Sequence, residues 1–300
     1  MITIDKVTIS FIDNIFKIVN NGCFKNLKDK ILINVFFEAS TRTSLSFESA
    51  MYRLDGKVIT FQKDYSSLKK GESINDTIIT LSTYGDIMVI RHPDINVVKQ
   101  IEPLINIPII NAGNGNGEHP TQALLDLYTI NKHLQKINLN HPITQLGSTN
   151  FFTNNKNIFK ILFIGDILNS RTIHSLVKIL LKFDNVDIDL LPYNNCRSSE
   201  VEEIINKKSL EKDEALFDNY HVIYITRFQT ERTDLKINPD IIIDKKFLEK
   251  LKKNTIILHP LPRNKEINPE VDEDERCQYF KQMEYGVLIR KALLSYYLEE

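Results

Sequence analysis

Short apolar runs rich in β-branched residues recur along the chain, each followed by a polar loop and then a helical pattern. Segments 31–37 (ILINVFF), 86–91 (DIMVIR) and 107–111 (IPIIN) predict one set of strands. Segments 159–164 (FKILFI), 186–191 (VDIDLL), 222–226 (VIYIT) and 255–259 (TIILH) predict a second. Strands apolar on both faces, alternating with helices, belong to mainly parallel sheets covered on each side, so the fold class is α/β with two domains. Phe47, Ala50, Met51 and Leu54 fall at helical spacing, as do Ile173, Leu176, Val177 and Leu180. Both sets predict amphipathic helices, and residues 283–298 are helical by pattern. The Asn- and Thr-rich stretch 137–157 breaks the rhythm and reads as a loop or linker. Segments 233–241 and 260–272 read as further loops.

Bulk properties narrow the possibilities. A chain of 300 residues suits two cores. Its formal net charge, 38 − 39 = −1, gives no reason to expect nucleic acid or a membrane surface as a partner. Anionic substrates would need a local basic cluster. Cys23, Cys196 and Cys277 lie far apart, without metal-site spacing, and fit a reducing cytoplasm. The N-terminal residues do not read as a signal peptide, and no apolar run is long enough to span a bilayer.

The strand 31–37 runs into Glu38-Ala39-Ser40-Thr41-Arg42-Thr43-Ser44, where a helix begins. A helix N-terminus carries unpaired N–H groups and partial positive charge, which suits phosphate. Ser40, Thr41 and Thr43 add hydroxyl donors and Arg42 a planar charged fork. The simpler reading of Ser40 is a helix cap. His119 precedes Pro120, which suits a first helical position, and Gln122 falls in the same first turn. A lone histidine there is more often a cap or a surface residue. Arg91-His92-Pro93 closes a predicted strand, where open α/β sheets bind ligands, although a surface ion pair also explains Arg91. After strand 159–164 the sequence Gly165-Asp166-Ile167-Leu168-Asn169-Ser170 has one glycine where a dinucleotide fingerprint needs three. That argues against a dehydrogenase, and no Walker A pattern occurs.

These segments resemble the aspartate/ornithine carbamoyltransferase family over nearly the whole chain. The resemblance is carried by FFEASTRTSLSFESA (36–50), KKGES (69–73), RHP (91–93), HPTQALLDLYTI (119–130), GDILNSRTIHSL (165–176), TRFQTER (226–232) and HPLPR (259–263), in register and at family-like spacing. It implies a carbamoyl phosphate domain over 1–136, an amino-acid domain over 137–282, and a C-terminal helix, 283–300, returning to the first. The implied reaction is carbamoyl transfer to aspartate in pyrimidine biosynthesis, with neither a metal nor a redox cofactor.

The resemblance also implies roles for particular residues. Ser40, Thr41, Arg42 and Thr43 would hold the phosphate. Thr43, Arg91 and His119 would bind the carbamoyl oxygen, and Gln122 the carbamoyl nitrogen. Ser66 (chosen over Ser67 because it lies four residues before Lys70) and Lys70 would reach a neighbouring subunit's site in a homotrimer, Lys70 also meeting aspartate. Arg171, Arg227 and Gln229 would bind aspartate's carboxylates, and the Leu261-Pro262 backbone would contact substrate. Glu38 would pair with Arg171 and Arg232. Room is left for regulatory subunits.

Two arginine forks suit a dicarboxylate and repel ornithine's ammonium group. Arg171 and Arg227 as structural ion-pair residues, another amino-acid acceptor, and a non-catalytic scaffold member are the competing readings. Ser44 stands where many family members have a second arginine, which predicts weaker carbamoyl phosphate binding.

Overall fold

A computed structural model describes residues 3–63, 66–148, 157–194, 196–212, 216–230 and 239–298. The first elements are α1 (Ile9–Asn21), β1 (Ile31–Phe36), α2 (Thr41–Tyr52), β2 (Lys57–Gln62), α3 (Ile74–Ser82), β3 (Ile87–His92), α4 (Val97–Ile101) and β4 (Ile109–Asn114). They are followed by α5 (Pro120–Lys136), α6 (Pro142–Gln145), β5 (Phe159–Gly165), α7 (Arg171–Leu180), β6 (Val186–Pro192) and α8 (Ser199–Ile205). The last are β7 (Val222–Ile225), α9 (Lys245–Leu248), β8 (Ile256–Leu258) and α10 (Tyr279–Tyr297).

The chain divides into two units. One comprises Met1–Leu125, Leu146–Ser148 and Glu284–Glu300, the other Asp126–Gln145 and Thr149–Met283. Helices α5 and α10 contribute residues to both.

The first unit contains a parallel sheet in the order β2-β1-β3-β4. Leu32, Ile33 and Val35 of β1 are buried, as a central strand covered on both faces requires. β2 escaped the sequence reading because it is an edge strand with mostly exposed residues, so the apolar signal is weak. The C-terminal part of α10 packs within this unit. Arg290 Nη1 donates to Ser46 Oγ at 2.9 Å, and the Phe11 and Tyr296 rings meet edge to face with centroids 5.1 Å apart.

The second unit contains a parallel sheet in the order β6-β5-β7-β8, built on a core that includes Leu162, Ile164, Ile223, Ile225 and Ile257. The stretch expected to be a plain linker is only partly one. Pro142–Gln145 form a helical turn, and His141 and Ile143 are fully buried. Asn131 Nδ2 donates to the Ile143 carbonyl at 2.6 Å, which ties the turn to α5. Residues 149–156 lie outside the described set.

In each sheet the chain leaves the first strand, pairs a second strand on one side, and returns to pair a third on the other. The reversal opens a crevice beyond the carboxyl ends of β1 and β3, and likewise of β5 and β7, where open α/β sheets place ligands.

Candidate active site

In the first unit the β1–α2 and β3–α4 loops meet at that crevice. Phe37 N–H donates to the Arg91 carbonyl at 2.9 Å, extending the ladder past the strand ends. Between Ile90 and His92, β4 carries one extra residue in its pairing with β3, and such a bulge re-aims nearby side chains. Arg91 Nε donates to Glu38 Oε1 at 2.5 Å and its Nη1 to Ser40 Oγ at 3.0 Å. The expected Ser40 cap is not made: no side-chain cap bond forms at α2, and the hydroxyl serves Arg91 instead. The helix N-terminus keeps its dipole and N–H donors beside Thr41, Arg42 and Thr43, of which Thr41 and Arg42 are exposed.

Pro120 opens α5 as expected, and its neighbour His119 is buried. His119 Nε2 lies 3.4 Å from Thr43 Oγ1, and Nδ1 lies 3.3 Å from Thr121 Oγ1. Hydroxyls on both sides accommodate either tautomer, so the ring can present an N–H at Nε2. Gln122 is buried in the same turn. The start of α2 thus carries two hydrogen-bonded pairs, Ser40 with Arg91 and Thr43 with His119. The glycine-rich loop before His119 is closed by Asn114, which donates to the Ile95 carbonyl at 2.6 Å and accepts from Glu118 N at 2.9 Å. Gly115, at φ 48°, has no room for a Cβ, which would meet the Pro93 carbonyl oxygen at 2.4 Å.

Ser44 faces away from this cluster's chemistry. Its Oγ accepts from Asn34 Nδ2 at 2.9 Å and lies 3.4 Å from Glu48 Oε1, which also takes hydrogen bonds from Asn34 and Thr60. Ser66 Oγ donates to the Lys63 carbonyl at 2.7 Å, and Lys70 is exposed on the 3-10 turn Ser67–Lys70. Among the described residues, no hydrogen bond or ion pair joins Ser66 or Lys70 to the Arg91 cluster. Glu38, expected to pair with Arg171 and Arg232, accepts from Arg91; Arg232 lies outside the described residues.

The second unit repeats the geometry with different chemistry. Gly165, at φ 119°, lies so close to β7 that a Cβ would meet the Thr226 carbonyl oxygen at 2.4 Å. Asp166, fully buried, accepts from Asn169 N at 3.1 Å and from Gln229 N at 3.1 Å, tying the two loops together. Asp166 falls within the segment GDILNSRTIHSL, but its role depends on Gln229, a distant partner that the segment alone does not reveal. Ser170 caps α7 through Ile173 N at 3.5 Å, and Arg171, buried, is its first residue. Arg227 is half-buried and donates to the Phe228 carbonyl at 3.1 Å. Burial and the Asp166 charge push the Cys196 thiol up to about 12, so it is no nucleophile at neutral pH.

At the end of β8, His259 is buried. It accepts Leu261 N–H at Nδ1 (2.8 Å), so its proton sits on Nε2 and points to Glu266 Oε1 at 2.9 Å. Burial works to raise the Glu266 carboxyl, but the hydrogen bonds it accepts from His259 and the Asn264 amide outweigh it and hold the group below its usual range. The Leu261-Pro262 peptide is cis. Arg263 grips Asp272 through both terminal nitrogens, a structural pairing. Among the described residues no group of three or more His, Cys, Asp or Glu is arranged to hold a metal.

Residues 8–132 match the carbamoyl-phosphate-binding domain of aspartate/ornithine carbamoyltransferases, and residues 157–297 match their Asp/Orn-binding domain. The chain is 42% identical to an aspartate carbamoyltransferase catalytic subunit of Methanococcus vannielii over 90% of this chain and 85% of that one. It is 40% identical to the multifunctional protein pyr1-3 of Dictyostelium discoideum over 90% of its own length, but spans only 12% of that relative. The crystal structure of aspartate transcarbamoylase from Trypanosoma cruzi in complex with N-(phosphonacetyl)-L-aspartic acid superposes with a TM-score of 0.83 at 33% identity, covering 98% of this chain and 93% of that chain. The catalytic subunit of the M. jannaschii aspartate transcarbamoylase gives 0.80 at 36% identity, with 98% and 96% covered.

Proposed function

Because the chain belongs to the aspartate/ornithine carbamoyltransferase family, we propose that it transfers the carbamoyl group of carbamoyl phosphate to L-aspartate in pyrimidine biosynthesis. The products are N-carbamoyl-L-aspartate and phosphate. The observation that carries this reading is the Ser40 hydroxyl, which supports Arg91 rather than capping α2. Phosphate then docks on the α2 N-terminus among Ser40, Thr41, Arg42 and Thr43. Thr43, Arg91 and His119 surround the carbamoyl oxygen, and Gln122 meets the carbamoyl nitrogen. Aspartate's neutral amine attacks the carbamoyl carbon, and negative charge grows on that oxygen. Donors aimed there stabilise the transition state more than the substrate. The carbon–oxygen bond to phosphate breaks, phosphate leaves with the electron pair, and the amine sheds a proton for which the leaving phosphate is a candidate acceptor. Arg171, Arg227 and Gln229 take aspartate's carboxylates, assisted by the Leu261-Pro262 backbone; the two arginines disfavour ornithine's ammonium.

A homotrimer with shared sites completes the reading. Exposure of Lys70, and of Leu45 (56%), Tyr52 (58%) and Ile59 (39%) on α2 and β2, supports it. Three free cysteines fit a cytoplasmic setting, and separate regulatory subunits are compatible with it.

A steady-state assay with both substrates should produce carbamoyl-aspartate. No turnover at saturation would favour a scaffold instead. Reassociating inactive Lys70→Ala chains with inactive Arg91→Ala chains should restore activity, and inactive hybrids would refute shared sites.

A further inference from the structure

The second unit contains a continuous buried line of hydrogen bonds that the reaction as described does not use. Asp126 on α5 is fully buried. Its Oδ2 accepts from the Tyr224 hydroxyl at 2.8 Å and its Oδ1 from Gln282 Nε2 at 2.8 Å. Gln282 Oε1 then accepts His259 N–H at 2.9 Å. The Gln282 amide has no choice of orientation, because a carboxylate only accepts and a backbone N–H only donates. His259 passes the constraint on by accepting Leu261 N–H. At the other end, the Thr172 side chain hydrogen-bonds the Tyr224 oxygen, and Thr172 Oγ1 lies 3.0 Å from Ser170 Oγ, the α7 cap. Tyr224 gives its proton to Asp126, so Thr172 must donate to Tyr224 and Ser170 to Thr172. The donations run inward from both ends and converge on the Asp126 carboxylate, an arrangement that reinforces each bond in a low-dielectric interior.

One end of this line fixes the first turn of α7, where Arg171 stands. The other fixes the backbone at Leu261. We infer that Asp126 is a positioning residue for the acceptor amino acid, holding Arg171 and the Leu261-Pro262 segment in register through Tyr224 on one side and Gln282 and His259 on the other. The inference rests on the carbamoyl transfer reading and adds to it the origin of acceptor affinity. Asp126 is fully buried and acts through its hydrogen-bond partners. A neutral amide at this position would place a donor where the line requires an acceptor.

The test uses Asp126→Asn and Tyr224→Phe in the full chain. It measures KM for aspartate, KM for carbamoyl phosphate, inhibition by succinate (aspartate without its amine) and the thermal midpoint. In Asp126→Asn, the aspartate KM and the succinate inhibition constant should rise together by about tenfold, with carbamoyl phosphate KM within about twofold. Tyr224→Phe should show the same split, less strongly. The double variant should be little worse than Asp126→Asn, because both changes break one line. An unchanged aspartate KM in folded variants overturns the inference. So does a parallel loss for both substrates that tracks the thermal midpoint, which a merely structural role would give. If Asp126→Asn fails to fold, the nearly isosteric Tyr224→Phe decides alone. An inactive wild type would refute the functional reading; an active wild type whose variants keep normal aspartate affinity refutes only this one.

Discussion

In both units the first strand lies between the second and third, and it runs into a loop and a helix that starts after a serine, Ser40 before α2 and Ser170 before α7. The two serines do different things. Ser170 caps its helix by accepting Ile173 N–H, while Ser40 makes no such cap and accepts from Arg91 instead. The loop before α7 also contains a buried carboxylate, Asp166, which gathers Asn169 and Gln229 N–H groups. The loop before α2 places exposed Thr41 and Arg42 in its first turn. One topology therefore yields two chemically different strand-end loops. A helix start not capped by its own serine, with a cation nearby, suits a dianionic phosphate. A capped helix start beside an internal carboxylate disfavours phosphate, and under the proposed function its buried first residue, Arg171, serves the acceptor's carboxylates.

The largest expected effect tests the first half of this contrast. Arg42→Ala should lower kcat/KM by about 10²–10³-fold or more, with the thermal midpoint nearly unchanged because Arg42 is exposed. Near-normal kcat/KM would remove the phosphate assignment.

The second test separates the units by acid sensitivity. Burial, outweighing the Asn254 carbonyl, lowers His133 to about 4, and burial also lowers His141, His174 and His221, all in the second unit. In the first unit, among the described residues, His92 is the histidine lowered in this way. A depressed histidine is neutral in the folded state while the unfolded chain takes up a proton below about 6.5. The unfolded state then binds more protons, so stability is full above about pH 6.5 and falls toward pH 4, with His133 contributing on the order of 3 kcal/mol. Amide exchange compared at pH 7.5 and pH 5 should show protection lost first in the second unit. Earlier loss from the first unit would contradict this.

Substituting the two serines probes the contrast directly. Ser170→Ala should cost about 1 kcal/mol of stability through the lost cap, read as a lower thermal midpoint. Ser40→Ala should leave the midpoint nearly unchanged and raise the carbamoyl phosphate KM, since it removes the hydroxyl that holds Arg91 Nη1. Equal destabilisation by both would erase the distinction. The smallest effect concerns Ser44, which hydrogen-bonds with Asn34 and Glu48 rather than with the Arg91 cluster. Ser44→Arg should change the carbamoyl phosphate KM by less than about threefold, an interaction difference within the range of a surface charge pair. A larger gain in affinity would restore the idea that this position weakens phosphate binding.

Most of the sheet framework was legible along the chain, because buried parallel strands are apolar on both faces and stand out wherever they occur. The exception was β2, an edge strand whose exposed residues carry little pattern. The stretch 137–157 reads as a loop or linker, although His141 and Ile143 in its described part are buried, since isolated buried residues among asparagines give no period. In the candidate site, Ser40, Thr43, Arg91 and His119 were named from separate motifs, and the structure brings them together. Asp126, Tyr224 and Gln282 were not singled out. Each reads as an ordinary helix or strand residue, and only the packing of three distant segments makes them one line.

Periodicity and local motifs are properties of neighbouring residues, so the strand–helix rhythm, the basic and hydroxyl residues at the strand ends, and the family can all be read along the chain. Tertiary structure alone decided which serine caps and which supports an arginine, which histidine nitrogen bears the proton, and where Ser44 points. Those outcomes depend on partners far away in the chain, and a polar group's role in a buried setting is set by whichever donor or acceptor the fold places within reach.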